Sequence, residues 1–425
     1  MALLVCKFGG TSLATPERVQ AVAEKLVAYH RQGERVVAVV SAMGKTTDDL
    51  LALAKSVNPH PPARELDRLL ATGEQASMAV LAMAIEALGV HSTSLSGRQA
   101  GIMTTTVFSR AQISEVRADR INEELDCGRI VVVAGFQGIT PKGDITTLGR
   151  GGSDTTAVAL AAGLQADLCE IYSDVAGVYT ADPRIVQRAS KLANISYEDM
   201  LELAAAGSGV LQMRSVELAR NFGVTIYCRS AFSADVGTYV REGKAMEESI
   251  VTGIVSDLSK AKVTLRGVPD RVGLAAELFG TIADGGVLVD MIVQNISEFG
   301  LTDISFTVPK SELSRLEPIL DKLVQILGVR GFIVAEDVAK ISVVGAGMQS
   351  SPGIAAQMFK VLANCGVNLD MIATSSIRIS VVVGAAGVEQ AMRELHTAYG
   401  LDSDSDFADT HLTAAELEAK MTKGR

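Results

Sequence analysis

Four short stretches of the chain carry residue types that can handle anions. Lys7-Phe8-Gly9-Gly10-Thr11-Ser12 places an ammonium and two glycines at the end of an apolar run. Glycine lets the backbone approach an anion and aim N–H groups at it, and lysine adds a point charge suited to a phosphate oxygen. A glycine turn after a strand is also commonly no more than a turn. Leu148-Gly149-Arg150-Gly151-Gly152-Ser153-Asp154-Thr155-Thr156 carries more, because three glycines and an arginine precede a helix predicted over 156–164. A helix N-terminus with such a loop is an anion site. Asp154 fits there as an orienter of Lys7 or of a bound Mg²⁺, the alternative being a helix cap.

Ser173-Asp174-Val175-Ala176-Gly177-Val178-Tyr179-Thr180-Ala181-Asp182-Pro183-Arg184 follows a strand. Its arginine near a phosphate and its tyrosine beside a base would suit a nucleotide. The same residues would equally make a well-capped loop. Thr47 and Glu74 read as helix starts, in Lys45-Thr46-Thr47 and Thr72-Gly73-Glu74. With Arg150 they would suit a zwitterionic amino acid, guanidinium on carboxylate and carboxylate on ammonium. Taken singly, each also reads as a surface or cap residue.

The elements that must position these groups alternate. Ala2–Phe8, Arg35–Ser41, Ile130–Ala134 and Leu168–Tyr172 are short, continuous apolar runs. Between the first two, Thr15-Pro16-Glu17 starts a helix with Thr as cap and Pro at the first turn. Val19, Val22, Ala23, Leu26 and Val27 give that helix one apolar face, and Gly33 lies just past its end. Such alternation predicts a mostly parallel sheet covered on both faces, with ligands beyond the carboxyl ends of its strands. The glycine-rich segments fall there.

The second half repeats itself. Gly273–Ile292 matches Gly353–Ile372 at an offset of 80, with ten of 20 residues identical. Each copy reads as β-α-β-β, with a strand ending in Asp-Met-Ile, which predicts two small α/β units side by side. The polar Arg241–Ser249 marks the boundary between the halves.

The 425 residues include 39 Lys+Arg and 49 Asp+Glu, for a net charge of −10. An acidic chain offers no electrostatic footprint for nucleic acid or an anionic membrane. No apolar run approaches the ~18 residues that span a bilayer, and MALLVCKFGG lacks the basic and apolar regions of a secretory signal. The five cysteines (Cys6, Cys127, Cys169, Cys228, Cys365) form no C-x-x-C pair, so reduced thiols in a cytoplasmic protein are expected.

Taken together, KFGGTS, Ser41–Leu50 (SAMGKTTDDL), Thr147–Ala157 (TLGRGGSDTTA) and SDVAGVYTADPR resemble the aspartokinase family. The tandem repeat resembles the paired ACT domains that follow its kinase domain. The resemblance implies an α/β amino acid kinase fold over 1–250, two ferredoxin-like ACT domains over 262–338 and 339–401, and a flexible tail over 402–425. It implies transfer of the γ-phosphoryl of ATP, with Mg²⁺, to the side-chain carboxylate of L-aspartate, giving 4-phospho-L-aspartate for lysine and threonine biosynthesis.

By motif match, Lys7, Arg150 and Asp154 would be catalytic. Lys7, Phe8, Gly9, Gly10, Ser41, Ser173, Asp174, Tyr179, Thr180, Ala181, Asp182, Pro183 and Arg184 would line ATP. Thr47, Glu74, Arg150, Gly151, Gly152 and Ser153 would hold aspartate, and no side-chain metal site is implied. The ACT pair implies feedback by lysine or threonine, with Asp270, Gln294, Asn295 and Ser297 on the effector in the first copy. Ser351, Asn368 and Asp370 are offered by the second copy. It also implies a homo-oligomer or α/β oligomer through the ACT domains. Two positions depart from the family pattern: Gly209 stands where it has a phosphate-reaching lysine, and Ala176 where it commonly has aspartate. Gly209 opens an alternative, a catalytically weakened paralogue acting as an amino-acid-binding regulatory protein or on a related acidic substrate.

Overall fold

The computed structural model describes residues 1–243, 250–295, 299–349 and 353–402. Ser297, Ser351, most of the polar boundary (244–249) and the tail from 403 lie outside the described residues.

The N-terminal half runs β1 (Leu3–Phe8), α1 (Pro16–Arg31), β2 (Arg35–Val40), α2 (Thr46–Val57), α3 (Ala63–Ala87), β3 (Ser92–Leu95), β4 (Ile102–Thr104), β5 (Ile113–Val116), α4 (Asp119–Asp126) and β6 (Ile130–Ala134). It continues through β7 (Gln137–Ile139), β8 (Ile145–Thr147), α5 (Gly152–Leu164), β9 (Leu168–Ser173), β10 (Asn194–Ser196), α6 (Tyr197–Ala206), α7 (Met213–Phe222), β11 (Ile226–Ser230) and β12 (Thr238–Arg241). Among the described residues eight strands form one sheet in the order β10-β12-β11-β9-β1-β2-β6-β3, in which only β11 and β12 pair antiparallel. A smaller sheet, β5-β4-β7-β8, rises beside it.

Side-chain alternation explains the continuous apolar runs. Val5, Val37, Val39, Val131 and Val133 face one core with α5, whereas Cys6, Phe8, Ala38, Val40 and Val132 face another with α1 and α3. Each fully buried valine contributes about 1.5–3 kcal/mol relative to exposure. The apolar face expected on α1 is buried as a set, and Thr15 caps the helix by accepting the N–H of Arg18.

The C-terminal half holds two α/β sandwiches. The first is β14 (Lys260–Pro269), α8 (Leu274–Asp284), β15 (Ile292–Gln294), β16 (Leu301–Pro309), α9 (Leu313–Leu327) and β17 (Gly331–Ala335), with sheet order β15-β16-β14-β17. The second is β18 (Val338–Val344), α10 (Ile354–Asn364), β19 (Leu369–Thr374), β20 (Arg378–Gly384) and α11 (Val388–Ala398). Its fourth strand is not C-terminal. Strand β13 (Gly253–Asp257), upstream of the first sandwich, pairs antiparallel with β18 and completes the sheet. The 80-residue repeat hides this, because the borrowed strand lies outside the repeated stretch.

The repeated Asp-Met-Ile opens or lies within the strand after the helix, rather than ending it as expected. Met291 and Met371 bury together between the sandwiches. Asp290 and Asp370 each pair with a lysine of the other repeat: Lys340 at 2.7 Å and Lys262 at 2.6 Å. Lys340 is almost fully buried, and its ammonium also reaches the carbonyl of Ala205 in α6 at 3.2 Å. One side chain thereby ties both sandwiches to the N-terminal half.

Candidate active site

The site gathers at the carboxyl ends of β1, β2, β6 and β9, where the parallel sheet leaves its loops. Lys7 leaves β1 and meets Asp154, in the first turn of α5, at 2.6 Å. Both side chains are about one-tenth exposed. The lysine ammonium has three donors, so its contact with Asp154 leaves others for a second anion. Asp154 can sit there because α5 begins at Gly152, four residues earlier than the sequence suggests. Gly151 takes the left-handed backbone, φ 68°, and among the described residues no side chain caps the helix; the N–H of Gly152 donates to the carbonyl of Gly149 at 3.0 Å, which leaves those of Ser153 and Asp154 as the amides that can meet an anion. Glycine is required at this corner, since a Cβ on Gly151 would lie 1.8 Å from Cγ of Gln212.

Arg150 projects between left-handed Gly149 and Gly151, exposed and without an ion-pair partner among the described residues. Ser153 packs so closely on Gly135 that a Cβ there would lie 2.8 Å from its hydroxyl. The backbone of Gly10 runs against the carbonyl of Ala42, 2.6 Å from a notional Cβ. Ser41 donates its N–H to the carbonyl of Phe8 at 3.1 Å. The Phe8 ring itself is in the core, stacked on Tyr172, so only its backbone borders the site.

Glu74 departs from the sequence expectation. It lies in the middle of the 25-residue α3, not at a helix start. Gly73 reads as a breaker, but here it permits contact: a Cβ would sit 2.9 Å from that of Ala42. The Glu74 carboxylate is 2 % exposed. One oxygen accepts the N–H of Ala42 at 3.0 Å, and the other is buried with no partner among the described residues. Burial pushes this carboxyl up to about 7. Thr47 occupies the first turn of α2, half-buried, and its neighbour Thr46 lies 3.5 Å from a notional Cβ on Gly73.

The segment after β9 divides into two faces. Ser173 and the exposed Asp174 open it at the strand end. Arg184 clasps Asp182 with a two-pronged contact of 2.7–3.2 Å, which holds that carboxyl below its ordinary range, and Pro183 lies between them. Tyr179 is half-buried near Asp235 of the β11–β12 loop. Thr180 and Ala181, by contrast, are buried against the second sandwich. Their side chains do not line a cleft at the strand ends.

Two supporting residues escaped the sequence reading. Asp67, seven positions before Glu74 on α3, is fully buried and accepts from the backbone and hydroxyl of both Ser109 and Thr147 at 2.8–3.1 Å. This pins the strand end that leads into the Arg150 loop. Arg214 of α7 donates to the carbonyls of Leu148 at 2.7 Å and Ala111 at 3.0 Å. The seven-residue spacing of Asp67 and Glu74 was the available signal for the first; nothing local marked the second. Gly209 lies in the exposed α6–α7 turn with open space around its notional Cβ.

In the first sandwich, Asn295 lines a cavity of about 810 Å³ with Arg266, Asp303, Arg330 and Phe332. Asp270 and Gln294 are exposed near its strand ends and are not among the lining residues.

A family model of the amino acid kinase family matches residues 2–230, and an ACT domain model matches 263–315 and 341–399. An aspartokinase of Corynebacterium efficiens is 50% identical over 412 residues, covering 96% of this chain and 98% of that protein. The crystal structure of aspartate kinase from Synechocystis is 44% identical, with a TM-score of 0.53 over 94% of this chain and 70% of the other. Aspartokinase III of E. coli, solved with aspartate and ADP, shares the fold at a TM-score of 0.79 and 24% identity, over 94% of this chain and 99% of that one.

Proposed function

The chain belongs to the aspartokinase family, an ATP-dependent phosphotransferase acting on a carboxyl of aspartate, and from that premise we propose how its own residues perform and regulate the transfer. The side-chain carboxylate of L-aspartate attacks the γ-phosphorus of ATP. The bond to the β–γ bridging oxygen breaks, and 4-phospho-L-aspartate and ADP leave. The attacking carboxylate is already ionised at neutral pH, so no general base is required. The obstacle is that two anions must meet. Positioning and charge neutralisation therefore carry the catalysis.

The observation that carries this reading is the 2.6 Å pairing of Lys7 with Asp154 at the head of the sheet. It fixes an ammonium, backbone glycines and a helix N-terminus around one point. Lys7, Gly9, Gly10 and the first amides of α5 receive the transferred phosphoryl group. Arg150 grips the α-carboxylate of aspartate, and Glu74 takes its ammonium, with Thr47 and Ser153 alongside. Ser173, Asp174, Tyr179 and the Asp182–Arg184 pair border the nucleotide.

Among the described residues no three carboxylate, imidazole or thiol groups cluster to hold a metal. Mg²⁺ carried in on the phosphates of ATP would need few protein ligands. The exposed Asp174 would be the carboxylate to meet it, and the ion when bound would neutralise phosphate charge.

With ATP, Mg²⁺ and L-aspartate, the purified protein is expected to form an acyl phosphate that hydroxylamine traps. Folded protein that yields no hydroxamate would overturn the reading. Gly209 favours a second one, in which turnover is slow and amino-acid binding is the main task. A substrate panel with L-glutamate and N-acetylglutamate as acceptors separates related acids from aspartate.

The ACT pair supports feedback control by a small amino acid, lysine or threonine, in a cytoplasmic enzyme. Val272, Phe299 and Ile333 leave large apolar surface exposed on the first sandwich, which suits burial against a second chain, whether in a homo-oligomer or an α/β assembly. Regulation then requires that the effector bind one state of that assembly better than another.

A further inference from the structure

We propose that His396, on α11 of the second ACT domain, is a positioning residue for the nucleotide-binding segment Tyr179–Arg184, acting through the hydroxyl of Thr180. The inference rests on the assignment of that segment to the nucleotide under the proposed function. His396 is fully buried, yet it lies 216 residues from Thr180 in sequence. Its Nε2 is 2.8 Å from Thr180 Oγ1, and its Nδ1 hydrogen-bonds the carboxylate of Asp402.

The network assigns the protons. The Thr180 hydroxyl oxygen accepts the N–H of Ser190 at 3.0 Å. Nδ1–H donates to the carboxylate of Asp402, and Nε2 accepts the hydrogen bond of the Thr180 hydroxyl. Every polar atom of this buried pair is then satisfied. Removing the ring leaves a buried hydroxyl without its acceptor, and such an orphan is costly.

Thr180 is held from the same side by its backbone. Its carbonyl accepts the N–H of Ile254 at 2.7 Å, and Ile254 lies on the strand that completes the second ACT sheet. Ala181 and Val186 bury in the core of that domain. Arg393, also on α11, reaches the carbonyl of Ile185. The segment is thus seated on the second ACT domain by one face, while Tyr179 and the Asp182–Arg184 pair stand on the other. A shift of α11 must move Thr180, and Thr180 is flanked directly by the residues assigned to ATP.

The test uses side chains that preserve one half of the relay. Glutamine carries its amide near the Nε2 position, so His396→Gln keeps the contact to Thr180. Asparagine carries its amide near Nδ1, so His396→Asn keeps Asp402 and loses Thr180. His396→Leu loses both. Steady-state kinetics of the full chain are measured with thermal midpoints, alongside Thr180→Val and Tyr179→Ala.

His396→Leu, His396→Asn and Thr180→Val are expected to raise KM for ATP about three- to tenfold, with kcat and KM for aspartate within about twofold. His396→Gln stays near the parent value, and Thr180→Val adds nothing to His396→Leu. Equal behaviour of the Gln and Asn variants, or a KM for ATP that follows the thermal midpoint alone, would overturn the proposal. So would an unchanged KM in His396→Leu where Tyr179→Ala raises it. If neither Tyr179→Ala nor His396→Leu changes KM for ATP, the segment is not the nucleotide's, and the assignment falls with the inference.

Discussion

Glu74 should make aspartate binding depend on pH in a direction that the buried carboxylate dictates. In the free protein one of its oxygens has no partner among the described residues, and burial raises the carboxyl to about 7. Only the ionised form can pair with the substrate ammonium. With that midpoint, about one-tenth of Glu74 is ionised at pH 6 and about nine-tenths at pH 8. KM for aspartate should therefore fall about tenfold between pH 6 and pH 8, at saturating ATP, by hydroxamate or coupled assay. Glu74→Gln removes the titration while leaving that of the substrate, so the difference between the two profiles isolates Glu74. The variant should show no such fall and, at pH 8, a KM raised about 10–10²-fold for the lost charge-assisted bond. Stability supplies an independent check. A carboxyl raised in the folded state stabilises fully at acid pH and loses that contribution as pH rises through about 7, up to roughly 3 kcal/mol for this shift. Glu74→Gln should then stabilise the substrate-free protein at pH 8, read as a higher urea midpoint, and leave it unchanged near pH 4. A KM that is flat or rises with pH in the parent, or a Gln variant with the same slope, would refute the role given to Glu74.

Further outcomes follow from the loops and the interdomain core. Gly209→Lys has open space and should leave the urea midpoint within about 0.5 kcal/mol, while raising kcat about 10–10²-fold if a phosphate-reaching cation is what the turn lacks; an unchanged kcat shows that the site manages without it. Gly151→Ala forces a Cβ into Gln212 at φ 68° and should cost about 1–3 kcal/mol by denaturant unfolding, with a raised KM for aspartate. Lys340→Met removes the ties to Asp290 and Ala205 at once and should destabilise by about 1–3 kcal/mol, also read by denaturant unfolding.

The parallel sheet was legible because Val36–Val40 and Ile130–Ala134 are buried on both faces, a pattern few other arrangements explain. The ion pair of Lys7 and Asp154 was legible from residue type and position at strand and helix ends. Glu74 was found but misplaced, because a glycine inside a helix reads as a boundary unless the neighbour it admits, here Ala42, is known. Thr180 and Ala181 read as nucleotide contacts because a motif does not say which way alternate side chains turn. Their partners, His396 and the borrowed strand Gly253–Asp257, come from distant parts of the chain. Arg214 left no local pattern, because it holds backbone carbonyls of loops remote in sequence, whereas Asp67 was marked only by its seven-residue spacing from Glu74 on one helix face.

The central claim is that Lys7 and Asp154 act as one unit at the phosphoryl group. A double-mutant cycle on kcat, with Lys7→Met, Asp154→Asn and the pair, measures that directly. Lys7→Met should lower kcat about 10³-fold and Asp154→Asn about 10²-fold, while the double variant is no slower than Lys7→Met alone. Losses that multiply to about 10⁵-fold in the double variant would mean that the two side chains act independently, contrary to the role assigned to their 2.6 Å contact.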